Sequence, residues 1–365
     1  MATPAPEPRA NPDLRGQEPA VAVLRTAAGS GRLPHGWLLT GPRGIGKATL
    51  AYRFARALLA GPDASDPSLA VDPEHPVFRQ VARGSHPDLK VIEALRDPRT
   101  GKVKSEITVD LVRAATASLN TTAAQGGHRI VVIDGAESLN RNAANALLKS
   151  LEEPPPGAIL LLVSHQPGRV APTLRSRCAK LALARLPDAE VRMALARHAP
   201  DLPEAQHDAL AQLARGSIGR ALELASDDWV SLYRRLATCL ASVPPDHVGI
   251  GTLSGELARY ADARSFAAPL WLIQELLSRL TGAAVGRQMP ALFPGEAATL
   301  DRLAAGRPLD RWGSLWEKVA RLATAVDSLN LDRRQALLHI LTLLALGSEE
   351  DRGKGSALGG SDGFG

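Results

Sequence analysis

The sequence predicts an α/β fold: a parallel five-stranded sheet with helices on both faces, followed by a small set of short helices and an all-α C-terminal domain. Three observations predict it. Short apolar, β-branched runs alternate with helix-patterned stretches through the first half of the chain, as in successive βαβ units. A glycine-rich turn, Gly41 to Thr49, joins the first of those runs to the first long helical pattern. Beyond about Leu186 the strand signal stops and only helical periodicity continues.

The expected strands are Trp37 to Thr40, Leu89 to Ile92, Ile130 to Ile133, Ile159 to Val163 and Lys180 to Leu183. Helical patterns lie between them at Ala48 to Leu59, Val109 to Leu119 and Leu139 to Glu153, the last with Leu139, Ala143, Leu147 and Leu151 on one face. Asp188 to His198, Glu204 to Ala214 and Ile218 to Ala225 read as three short helices. Leu270 to Leu280, Trp312 to Leu329 and Arg333 to Leu346 are long apolar helices of a separate domain. The expected boundaries are 1–186, 187–227 and 228–346, with 1–14 and the Gly/Ser/Asp-rich 347–365 disordered. Gly61 to Pro76 reads as an irregular connection and Asp97 to Lys104 as an exposed turn.

Gly41-Pro-Arg-Gly-Ile-Gly-Lys47 has the composition of a phosphate loop. Gly41, Gly44 and Gly46 allow backbone N–H groups to face a phosphate, the following helix terminus adds positive potential, and Lys47 reaches phosphate oxygens. The Ser or Thr that would ligate Mg²⁺ directly after the lysine is replaced by Ala48. Thr49 is one residue too late, because each step along a helix rotates a side chain by about 100°. Arg129 to Ile133 ends in Asp134, which a parallel sheet delivers to the same edge as the loop.

With 365 residues, 45% of them hydrophobic, the chain can bury a substantial core. Two cysteines, Cys178 and Cys239, exclude a disulfide framework and a four-cysteine zinc site. No apolar run approaches the roughly 20 residues of a membrane span, and Met1 to Pro12 lacks an apolar signal core, so a cytoplasmic protein is expected. The net charge of +5 is small for this length, so contact with nucleic acid would depend on where the charges lie.

Gly41 to Thr49, Ser85-His-Pro-Asp88, Asp134 to Asn140, Ala143 to Pro155 with its Leu-Glu-Glu-Pro-Pro ending, and Leu174-Arg-Ser-Arg-Cys178 together resemble the clamp-loader branch of the AAA+ family. The motifs span roughly residues 15 to 225. The resemblance implies a P-loop AAA+ domain, a helical lid and a C-terminal collar. It also implies partners: ATPase subunits of the tau/gamma kind, a delta subunit, and, through the complex, a sliding clamp and primed DNA. In active members a glutamate follows the strand-end aspartate and an arginine occupies the last place of a lid Gly-Ser-x-Arg; here those places hold Gly135 and Gly219. With Ala48, that makes three departures in separate segments, so no hydrolysis is expected and ATP or ADP, if bound, would not be consumed.

Arg177 of Ser-Arg-Cys corresponds to the family's arginine finger, supplied to a neighbour's nucleotide. Ser164 follows the fourth strand at the position of a sensor residue. Arg220, beside Gly219, is expected to be aimed elsewhere by helical rotation. Relatives carry a four-cysteine zinc module just before the position of His86, but His75 to Gly84 contains no cysteine, so no zinc is expected. The alternative is an active ATPase of the tau/gamma kind, with Thr49 and Glu137 replacing the missing groups.

Overall fold

The computed structural model describes residues 7–64, 66–93, 106–125, 127–226, 228–242, 246–263, 266–304, 309–329 and 331–346. The expected turn at 97–104 and the tail at 347–365 lie outside them. Two compact units are present, one comprising Met1–His207 with Ala214–Ser226, the other Asp208–Leu213 with Asp227–Gly365.

The first unit is built on five strands, β1 (Gly36–Thr40), β2 (Leu89–Glu93), β3 (Arg129–Asp134), β4 (Ala158–Ser164) and β5 (Ala179–Ala182). They form one sheet in the order β2-β3-β4-β1-β5, with every pairing parallel. Each strand begins and ends within one residue of the expected run. Strands buried on both faces read as continuous apolar sequence, and β4 is buried along its whole length.

The helices of this unit are α1 (Glu18–Gly29), α2 (Lys47–Ala60), α3 (Pro76–Ala82), α4 (Val109–Ala117), α5 (Arg141–Glu152), the four-residue α6 (Pro172–Arg175), α7 (Asp188–His198) and α9 (Ile218–Ala225). Between the last two, α8 (Glu204–Ala214) has its middle residues grouped with the second unit. Helix α5 starts after Leu139, because the Asn140 side chain accepts the Ala143 N–H as an N-cap while Leu139 bridges to Ile107. Its inner face, Ala143, Ala144, Leu147 and Leu151, packs into the core with Val131, Ile133, Leu160 and Leu162. Helices α1 and α3 were not anticipated.

Residues 7–14, expected to be disordered, instead pack against α2. Arg56, 1% exposed, donates to the Arg9 and Asn11 carbonyls at 2.8 and 2.9 Å and stacks over Phe78 at 4.4 Å. Arg53 donates to the Pro12 carbonyl at 3.0 Å. The Pro/Ala-rich segment has no periodicity of its own, so its order comes from these two buried guanidinium groups. Gln17, also buried, donates to the Ile45 and Ala184 carbonyls.

Among the described residues the regular elements of the second unit are all helices: α10 (Trp229–Ala241), α11 (His247–Ala263), α12 (Ala267–Ala284), α13 (Glu296–Ala304), α14 (Leu309–Leu329) and α15 (Arg333–Leu346). Helix α11 packs on α15, and α12 on α13 and α14. Within this core the Glu296 carboxylate receives Arg279 at 2.9 and 3.0 Å, the Tyr233 hydroxyl at 2.8 Å and the Leu292 N–H at 2.6 Å. A buried ion pair is tolerated when its remaining hydrogen bonds are satisfied in this way. Cys239 is partly exposed on α10, its thiol 3.6 Å from the Asp246 carbonyl. Among the described residues no helix is long and apolar enough to cross a membrane.

Candidate functional site

The carboxyl edge of the sheet brings the sequence-predicted residues together by register. Thr40, the last residue of β1, pairs with Ser164 of β4; Asp134 of β3 pairs with Val163 on one side and with Glu93 of β2 on the other. Adjacent strands lie about 4.8 Å apart, so these ends form one short row.

The loop that leaves β1 turns only because its glycines reach positive φ, at 141° for Gly41, 75° for Gly44 and 102° for Gly46. Gly46 caps α2, whose first amides have no partner within the helix and face a cavity of about 600 Å³. Lys47 is 3% exposed, and its Nζ donates to the Pro42 carbonyl at 2.5 Å, so the lysine is folded back onto its own loop. Ala48 and Thr49 both line the cavity. Ser164 is fully buried, and its hydroxyl accepts the Gln166 N–H at 3.2 Å; the next residue, His165, is the one that reaches the cavity wall.

The lid helix α9 closes directly on the loop. Ser217 caps that helix and donates its hydroxyl to the Arg43 carbonyl at 2.9 Å, while the Gly219 N–H donates to the Gly44 carbonyl at 2.8 Å. A Cβ on Gly219 would lie 2.9 Å from Gly44 Cα, and one on Gly44 would lie 2.4 Å from the Ser217 hydroxyl. The two segments touch backbone to backbone, a separation that excludes an arginine at position 219. Arg220, expected to point away, lines the cavity instead, together with Arg43.

Other parts of the wall had no sequence signal. Leu14 and Arg15 of the N-terminal strap, Ala194 and His198 of α7 and Leu222 of α9 complete it. Asp13 of the strap also pairs with Arg197 of α7 at 2.9 Å, which ties the strap to the lid.

Burial and neighbouring charge shape the titration of the row. Asp134 is pushed up to about 6, chiefly by burial and then by the facing Glu93, with Lys47 opposing. Burial lowers Lys47 to about 8 against the attraction of Asp134 and Glu137. His165 falls to about 4 through burial and the nearby Lys47 charge, so its ring is neutral at pH 7. The carboxylate of Glu137 accepts the His165 N–H at 3.2 and 3.3 Å and is thereby committed to the end of β4. Chemically, the row offers cationic and amide groups for a phosphate, without the hydroxyl next to Lys47 that would complete a magnesium site.

Arg177 is not part of this row. It follows α6 and precedes Ala179, which pairs with Trp37 near the start of β1. The five residues of β1 separate that end from the loop, a span of about 16 Å. Arg177 is exposed, with Nη2 2.7 Å from Glu152 Oε1. Beside it, Cys178 packs into the core, and burial pushes its thiol up to about 11.

A family model described as DNA polymerase III, delta subunit, matches residues 16–187. The chain is 40% identical over 197 residues to DNA polymerase III subunit delta' of Pseudomonas aeruginosa, covering 54% of this chain and 57% of that protein. To subunit delta' of Escherichia coli K12 it is 36% identical over 217 residues, covering 59% and 62%. To subunit tau of Escherichia coli K12 it is 30% identical over 222 residues, covering 60% and 32%. The chain thus spans about three fifths of the delta' relatives' length and a third of the tau relative's.

Two outcomes test the site. Gly219→Ala should destabilise the first unit by about 1–3 kcal/mol through overpacking against Gly44, and should speed hydrogen exchange at the amides of residues 44–47; unchanged exchange would refute the backbone contact. The Asp134 carboxyl, followed by carbon NMR, should titrate near 6 and move higher in Lys47→Met, because the opposing charge is gone. From about pH 4 to 6 the folded chain keeps a proton that the unfolded chain has lost, so the stability linked to Asp134 falls as pH rises through that window. A midpoint near 4 in the wild type would contradict the burial.

Proposed function

We propose that this chain is a member of the clamp-loader family of AAA+ proteins and, within it, the delta-prime subunit of a DNA polymerase III clamp loader, a non-hydrolysing stator; the family match over residues 16–187 and the delta' relatives at 40% and 36% identity support this reading. In this reading it supplies Arg177 to the nucleotide of a neighbouring ATPase subunit and helps to place the sliding clamp on primed DNA. The observation that carries the reading is the position of Arg177. It stands at the amino edge of the sheet, about 16 Å from its own phosphate loop, which supports a role at a site other than its own. An arginine supplied in trans stabilises charge developing on a transferred phosphoryl group, and in well-studied systems contributes about 10³ to 10⁵ in rate.

The loop supports the complementary half of the reading. Ala48 offers no oxygen to a metal, Gly135 no base, and Gly219 replaces the lid arginine with a backbone contact to Gly44. ATP or ADP held by the loop amides and Lys47 would therefore remain intact, and no zinc is required. The partners are tau/gamma ATPase subunits and a delta subunit in the cytoplasm, with the helical second unit serving as the collar.

The tau relative supports a competing reading, an active ATPase of the tau/gamma kind. Glu137 would then be the base, but its carboxylate is already bonded to the His165 N–H.

Purified alone, the chain should show no sustained ATP hydrolysis. In a reconstituted clamp loader of verified composition, Arg177→Ala should slow the neighbouring site by about 10³-fold or more, read as the loss of that site's share of total hydrolysis. Magnesium-dependent turnover by the isolated chain that disappears in Lys47→Ala would favour the ATPase instead.

A further inference from the structure

The Arg177 guanidinium is folded back on its own chain. Nη2 lies 2.7 Å from Glu152 Oε1, and Nη1 donates to the Thr173 carbonyl at 3.2 Å and to the Ser176 hydroxyl at 3.3 Å. Both terminal nitrogens, the ones that would have to reach across to another subunit, therefore face local acceptors. The helix end that carries Glu152 is held by a separate arrangement. It is the last residue of α5, where His35 Nε2 hydrogen-bonds the preceding Leu151 carbonyl at 2.7 Å. Gly36 permits that close approach, since a Cβ there would lie 2.5 Å from Leu151 Cδ2. The helix end that carries Glu152 is thus fixed against β1 independently of the arginine.

We propose that Glu152 is a restraining residue for Arg177: it holds the guanidinium in a retracted position from which a neighbour's nucleotide must displace it. This inference rests on the trans role proposed above. A guanidinium presents its donors in a rigid planar fork, so a carboxylate and a phosphate that need the same distal edge compete for it. A triphosphate carries several charges to the carboxylate's one, so it displaces Glu152, but only at a higher nucleotide concentration than an unrestrained arginine would need. The carboxylate is 49% exposed, which limits the restraint to the two- to five-fold range of surface ion pairs and makes it sensitive to salt.

The test is Glu152→Gln in the reconstituted clamp loader, with KM and kcat for ATP measured separately at low and high salt. The amide keeps the shape and removes the charge. The expected result is a KM about two- to five-fold lower with kcat unchanged, a difference that closes at high salt and is absent when Glu152→Gln is combined with Arg177→Ala. Three results would overturn the inference: an unchanged KM, a reduced kcat, which would make Glu152 an orienting group, or the same KM shift with and without Arg177. If Arg177→Ala alone leaves hydrolysis unchanged, the trans role and the restraint both fail. If it slows hydrolysis while Glu152→Gln does nothing, only the restraint fails. Thermal unfolding of the Glu152→Gln chain at the wild-type temperature establishes that the comparison reports on the ion pair.

Discussion

Parallel pairing of all five strands governs the chemistry of the first unit, because it sends every strand's carboxyl end to one edge and every strand's start to the other. Thr40, Asp134 and Ser164 arrive side by side at one edge by register. Arg177, just ahead of β5, is committed to the opposite edge by the same register. No rotamer change moves a side chain across about 16 Å of strand. The separation between the glycine-rich loop and Arg177 is therefore a property of topology.

Within the row, two glycines from distant segments bring the lid and the loop into backbone contact. Gly44 and Gly219 approach so closely that neither tolerates a side chain facing the other, and Ser217 and Gly219 both donate to loop carbonyls. The contact joins α9 to the loop without any side chain at position 219. It also explains why Lys47 has settled on the Pro42 carbonyl: a buried ammonium needs acceptors, and the loop supplies one from its own backbone.

Much of the fold was legible because apolar runs bounded by glycine or polar residues leave little choice of strand. Helices α7, α8, α9 and α15 match the expected spans because Pro200, Gly216, Ser226 and Gly347 follow them closely as stop signals. The misses have physical causes. Helix α3 is capped by the His75 ring, not a residue that marks a helix start, and begins with Pro76. The N-terminal strap owes its order to Arg53 and Arg56, more than forty positions away in sequence. In the site, Gly41, Gly44, Gly46, Lys47 and Asp134 were legible from motif spacing. His165, Arg220 and the strap residues were not, because only the closed lid and the long-range arginine bonds bring them to the cavity.

The two thiols of the chain stand in contrasting surroundings. Cys178, next to Arg177, is sealed in the sheet's core with its ionisation pushed to about 11, whereas Cys239, though also raised by burial and by Asp246, sits partly open on a helix of the other unit. Thiolate is the species that reacts with maleimides and iodoacetamides. A fluorophore or spin probe added to the native chain consequently goes to Cys239, and the arginine beside Cys178 stays chemically untouched without any cysteine having to be engineered away.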